Sequence, residues 1–165
     1  MLAFDELDHQ YYMGEALKEA NEAGQRGDRP IGAVIVYDGK IISRGSNRIE
    51  TKSSNIAHAE TNAMHNCAAF LNKHARECVI YTTVEPCIMC LTTIVMANIR
   101  HVVFSVEDKY MKMELFINSN PYIKERLYHY MGGILQDESS KLIKTYSPFM
   151  AEVVLNGTRP RLNIK

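Results

Sequence analysis

Residues 78–105 run CVIYTTVEPCIMCLTTIVMANIRHVVFS. Cys78–Thr82 is short, apolar and β-branched or aromatic, as a buried strand requires. Pro86 suits the first turn of a helix, where its missing N–H leaves no bond unmade, and the apolar residues after it predict a helix to about Ala97. His101–Ser105 returns as a second buried strand. Strand, helix and strand in so short a space imply a right-handed crossover that lays the two strands parallel in one sheet.

Working outward, Gly32–Val36 is a β-branched run, Asp38-Gly39 a two-residue turn, and Lys40–Arg44 the return strand of a hairpin. Ala57–Leu71 predicts a helix. Residues 5–24 predict another, with Leu7, Tyr11, Leu17 and Ala20 at helical spacing and Gly24 as the stop. A weaker strand at Leu127–Met131 precedes a helix at Asp137–Tyr146. The tail from Ser147 reads as a final strand or an arm. These elements predict an α/β fold: a three-layer α/β/α sandwich on a mixed sheet of about five strands, in one domain over residues 1–165.

The 165 residues carry 19 basic and 19 acidic side chains, so no positive excess favours generic binding of a polyanion. The start, MLAFDELDHQ, lacks the order of a signal peptide. The longest uncharged run, Pro86–Ile99, is too short for a bilayer. Four cysteines without a secretory leader fit a reducing compartment, where thiols serve metals or cores. A soluble cytoplasmic protein is the expectation.

The chemistry gathers in Ala57-His58-Ala59-Glu60 and Pro86-Cys87-Ile88-Met89-Cys90. His58, Cys87 and Cys90 supply one imidazole and two thiolates, the three protein ligands of a catalytic zinc that keeps its fourth position for water. Cys87 and Cys90 stand three apart at a helix start, so both sulfurs share one face. That helix end also favours thiolate. Glu60 follows a ligand by two residues and serves as a proton carrier without being needed as a ligand. A structural zinc would want a fourth ligand. Cys67 and Cys78 are available, but their apolar settings read as core thiols. His65 lies on the His58 face of its helix with no partner ligand in sight and reads as a packed histidine.

His58-Ala59-Glu60 followed by Pro86-Cys87-x-x-Cys90 resembles the zinc-dependent cytidine deaminase superfamily, whose nucleobase deaminases carry this signature. The resemblance extends to Pro30-Ile31-Gly32-Ala33-Val34, to Gly45-Ser46-Asn47-Arg48, to Tyr81–Cys87 and, through Gly133–Leu135 with Asp137-Glu138, to the bacterial tRNA adenosine deaminases. It implies a cytidine deaminase-like fold, a bound Zn2+ and hydrolytic release of ammonia from an amino-substituted base. It further implies that Asn47 bonds the base, the Ala59 N–H reads a ring substituent, the Glu85 carbonyl receives the departing amine, Ile31 lines the pocket and Asp108 contacts ribose.

Asp108–Met113 lacks the glycine- and alanine-rich continuation of the tRNA enzymes, and Ser147–Met150 replaces their basic helix end. With zero net charge, this places a free nucleobase or nucleoside (guanine, cytosine or adenine type) first as substrate. Adenosine in tRNA comes second, favoured by Asp108, Arg159, Arg161 and Lys165. A non-catalytic zinc-stabilised partner subunit is a remote third reading, which an intact Glu60 argues against. Leu91, Ile94, Val95 and Met96, with Met111 and Met113, suit either a core or the interface of a homodimer, the state such relatives adopt.

Overall fold

The computed structural model describes residues 3–158. After a short 3-10 turn at Phe4–Glu6, α1 spans His9–Gln25. Its start is fixed by Asp8, whose side chain accepts the Tyr11 N–H at 2.9 Å, so the expected helix begins four residues later than residue 5. The hairpin forms as expected, with β1 at Gly32–Tyr37 and β2 at Lys40–Ser46. Asp38 and Gly39 take φ of 48° and 68°, the left-handed pair that a two-residue hairpin turn demands.

Next come α2 (Ala59–Asn66), α3 (Ala68–His74), β3 (Cys78–Val84), α4 (Ile88–Met96) and β4 (His101–Val106). The single helix expected over Ala57–Leu71 is broken at Cys67, whose φ and ψ of −126° and 25° leave the helical region. No glycine or proline marks that break. Beyond β4 lie α5 (Met113–Ser119), α6 (Pro121–Lys124), β5 (His129–Met131), α7 (Gln136–Tyr146) and α8 (Pro148–Met150).

The five strands form one sheet in the order β2-β1-β3-β4-β5. β1 is antiparallel to β2 and β3, whereas β3, β4 and β5 are parallel, with Val79 opposite His101 and Val102 opposite Tyr130. Strand alternation sorts two apolar layers. Ala33, Ile35, Cys78, Ile80 and Val102 pack with α2, α3 and α4 on one face. Val34, Val36, Val79, Tyr81 and Val103 pack with Tyr12, Met13 and Ala16 of α1 on the other. The three-layer α/β/α architecture on a mixed sheet is therefore as expected.

Two further parts differ from expectation. Met113, Phe116 and Ile117 place α5, in a stretch to which the sequence reading assigned no element, against Leu91, Val95 and Ile123. The tail is helical, not a strand: the Ser147 hydroxyl caps α8 by accepting the Met150 N–H at 3.2 Å, and a π-helical turn follows at Ala151–Leu155. Met150 and Val154 then join Val84, Val106 and Ile143, with Ile31 packed against them. The basic residues Arg159, Arg161 and Lys165 lie outside the described residues. Among the described residues no helix is long and apolar enough to cross a membrane.

Candidate functional site

Two helix starts converge at one end of the sheet. His58 occupies the N-cap position of α2 and Cys87 that of α4, with Cys90 in the first turn of α4. α2 is seated directly on β2, because a Cβ at Gly45 would come within 2.3 Å of the Ala59 carbonyl oxygen. Only glycine allows that approach. The ligand atoms of His58, Cys87 and Cys90 all lie within 4.8 Å of one another.

These residues fit a zinc ion. Ligand atoms on a zinc tetrahedron with two sulfurs and one nitrogen stand about 3.5 Å apart. His58 Nδ1 lies 3.3 Å from Cys90 Sγ and 3.6 Å from Cys87 Sγ. Their mutual electrostatics point the same way. Hydrogen bonding from Cys90, helped by His58, draws the Cys87 thiol down to about 4, while the same contact and burial push Cys90 up. A divalent cation at their centre allows both sulfurs to carry charge.

Glu60, in the first turn of α2, is only 4% exposed. Its Oε1 accepts the Thr82 hydroxyl at 3.1 Å, and its Oε2 faces Cys90 Sγ at 3.4 Å. Burial raises its pKa above the usual carboxylate range. The carboxyl is thus held beside the ligand set by a strand residue that sequence reading did not single out. Thr82 gave no signal there beyond its place on an apolar strand.

Asn47 and Ile31 are joined by the Asn47 N–H to Ile31 carbonyl bond at 3.0 Å, and Arg48 N–H bonds the Ala57 carbonyl at 2.9 Å. This brings both next to the His58 turn. Asn47 Oδ1 accepts the Ile49 N–H at 3.1 Å, but its Nδ2 is buried without a partner. A buried amide donor left unpaired is costly and suits an acceptor on a bound ligand. Ala59 heads α2, where N–H groups have no partner within the helix.

Glu85 and Asp108 meet: Asp108 N–H donates to Glu85 Oε2 at 2.9 Å. The Asp108 side chain turns into its own loop, with Oδ1 accepting the N–H groups of Tyr110 and Met111 at 2.9 and 3.0 Å. Tyr130, which sequence reading also missed, donates its hydroxyl to Glu85 Oε1 at 2.8 Å. His65, on the exposed side of α2, is not brought to the cluster.

Residues 7–106 match the sequence model of the cytidine and deoxycytidylate deaminase zinc-binding region. The chain belongs to this family. Among its relatives is the tRNA-specific adenosine deaminase of Bacillus subtilis, 34% identical over 139 residues that cover 82% of this chain and 86% of that protein. A solved structure from work on A-to-I editing by tRNA:A34 deaminases at the wobble position superposes with a TM-score of 0.72. It is 33% identical and covers 80% of this deaminase and 98% of its own chain. The guanine deaminase of Bacillus subtilis is 36% identical with a TM-score of 0.57, over 62% of this chain and 66% of its own.

Proposed function

We propose that this deaminase, acting as one zinc deaminase domain over residues 1–165, converts adenosine carried in a tRNA to inosine. Water is consumed and ammonia released. The observation that carries the reading is the B. subtilis relative, whose similarity runs through 82% of the chain, well past the zinc-binding region. Net charge had placed a free base first. Similarity to the tRNA enzymes supports the second substrate better.

His58, Cys87 and Cys90 would hold the zinc, which when bound would supply the nucleophile by lowering the pKa of a water to about 7. Glu60 takes one proton of the water at its carboxylate and delivers it to a ring nitrogen, then carries the second to the departing amine. Thr82 holds Glu60 Oε1, leaving Oε2 toward the ligands. Asn47 Nδ2 donates to an acceptor on the base, and the Ala59 N–H reads a ring substituent. The Glu85 carbonyl receives the departing amine, Ile31 forms the wall and Asp108 meets the ribose.

The 36% identity to a guanine deaminase and the zero net charge favour a second reading, a free purine. Ammonia release measured side by side from guanine, cytosine, adenine, their nucleosides and an anticodon stem-loop separates the two. The expected result is inosine in the stem-loop, with binding that weakens steeply as salt rises because phosphate contacts release counterions. Turnover of a free base with an inert stem-loop overturns the first reading and establishes the second.

The apolar residues of α4 divide in the structure. Leu91, Ile94 and Val95 are buried core, but Met96 at the end of α4 is 64% exposed, and Ile88 at the start of α4 and Ile56 just ahead of α2 are exposed too. We read this face as the contact of a homodimer in the cytoplasm. Sedimentation is expected to give twice the 18.8 kDa chain mass, falling to one chain for Met96→Lys. A wild-type monomer at micromolar concentration refutes it.

A further inference from the structure

Glu85 is a buried carboxyl that the proposed proton transfers do not use. It is 6% exposed, although glutamate is among the residues least often buried. Its backbone N–H donates to the Val106 carbonyl at 2.8 Å, tying the end of β3 to the end of β4. Its two carboxyl oxygens reach in different directions. Oε1 accepts the hydroxyl of Tyr130 on β5, and Oε2 accepts the backbone N–H of Asp108, beyond β4. The Tyr130 ring is itself set by Phe104, 5.0 Å away between centroids. One side chain, two residues before Cys87, therefore joins the ligand-bearing turn, the edge strand and the loop at 107–112.

That loop needs an anchor. The β4 ladder ends at Val106, and Lys112 closes the loop in the left-handed region at φ 51°. Asp108 organises the turn from within, through Oδ1 to Tyr110 and Met111. Bonds to the rest of the protein come from outside it: Glu85 Oε2 at Asp108, and the Val154 carbonyl, which accepts the Lys109 N–H at 3.0 Å.

We propose that the Glu85 side chain is a positioning residue that braces the 107–112 loop against the zinc turn and so presets the substrate wall carrying Asp108. The proposal rests on the reading of Asp108 as a substrate contact. Glu85 acts through the loop and touches no reacting atom with its side chain.

Three variants of the full, zinc-loaded chain test it. Glu85→Met keeps the volume and removes both acceptors. Glu85→Gln restores an oxygen for Asp108 N–H and an NH2 that donates to the Tyr130 oxygen. Tyr130→Phe removes one arm alone. Leaving a buried N–H unpaired is worth about tenfold in an equilibrium, so Glu85→Met is expected to speed hydrogen exchange at Asp108 by about that factor. KM for the deaminated substrate should rise by a similar factor, with the smaller part of the loss in kcat and zinc per chain unchanged. Glu85→Gln should recover most of both effects, and Tyr130→Phe should fall between.

Unchanged exchange at Asp108 in Glu85→Met overturns the brace. So does a loss confined to kcat that tracks lost zinc, which would make Glu85 a support of the metal turn. Faster exchange with KM unchanged upholds the brace and takes Asp108 out of the substrate site, so failure of the functional reading is told apart from failure of the brace.

Discussion

Glu60→Gln is expected to keep the zinc and the fold while losing about 10²–10⁴ in turnover, the usual worth of a positioned general acid–base group. The substitution is nearly isosteric at a site only 4% exposed. An amide oxygen can still accept the Thr82 hydroxyl that now bonds Oε1 at 3.1 Å, so packing and hydrogen bonding survive. What the amide lacks is a site that takes up and returns a proton. The ligand set of His58, Cys87 and Cys90 is complete without Glu60, so metal content should hold near one ion per chain. Elemental analysis, circular dichroism and turnover on the substrate found in the base, nucleoside and stem-loop panel check the three parts separately. Loss of zinc with this change would make Glu60 a ligand. Full turnover would remove it from the chemistry.

The metal centre was legible because chemistry restricts both residue type and spacing. Cys87 and Cys90, three apart, share a face on a helix, and Pro86 announces the start of that helix. The structure places Cys87 at the N-cap of α4 and His58 at that of α2. The sheet was legible for a similar reason: runs such as Cys78–Thr82 and His101–Ser105 have few alternatives to a buried strand.

The helical tail was not legible. Met150 and Val154 are four apart, but over so few residues that spacing does not separate one helical turn from an arm. Thr82 and Tyr130 were invisible because their contacts join residues 22 and 45 positions apart. No local pattern encodes a hydrogen bond between distant elements. Net charge is a weak guide to substrate because it is a sum over the whole chain, whereas a nucleic acid meets only one face.

Cys90→Ala carries the other large effect: loss of the bound zinc and, with it, of all measurable turnover. Cys90 is fully buried, and its Sγ touches both His58 Nδ1 at 3.3 Å and Glu60 Oε2 at 3.4 Å, so its removal strips a ligand and opens the centre of the site. Stability should fall as well, because an ion bound only by the folded chain stabilises it by mass action. At free zinc a thousandfold above Kd the contribution is about 4 kcal/mol. For a chain of this length each kcal/mol moves Tm by about 2–4 °C, so the variant should melt roughly 8–16 °C lower than the zinc-loaded protein. Chelation of the wild type should reproduce that drop. Cys67→Ala is the control: Cys67 sits half-buried at the break between α2 and α3, outside the ligand cluster, and its loss should leave zinc and turnover in place. Zinc retained at one per chain in Cys90→Ala, with Tm and turnover unchanged, would refute the assignment of the centre.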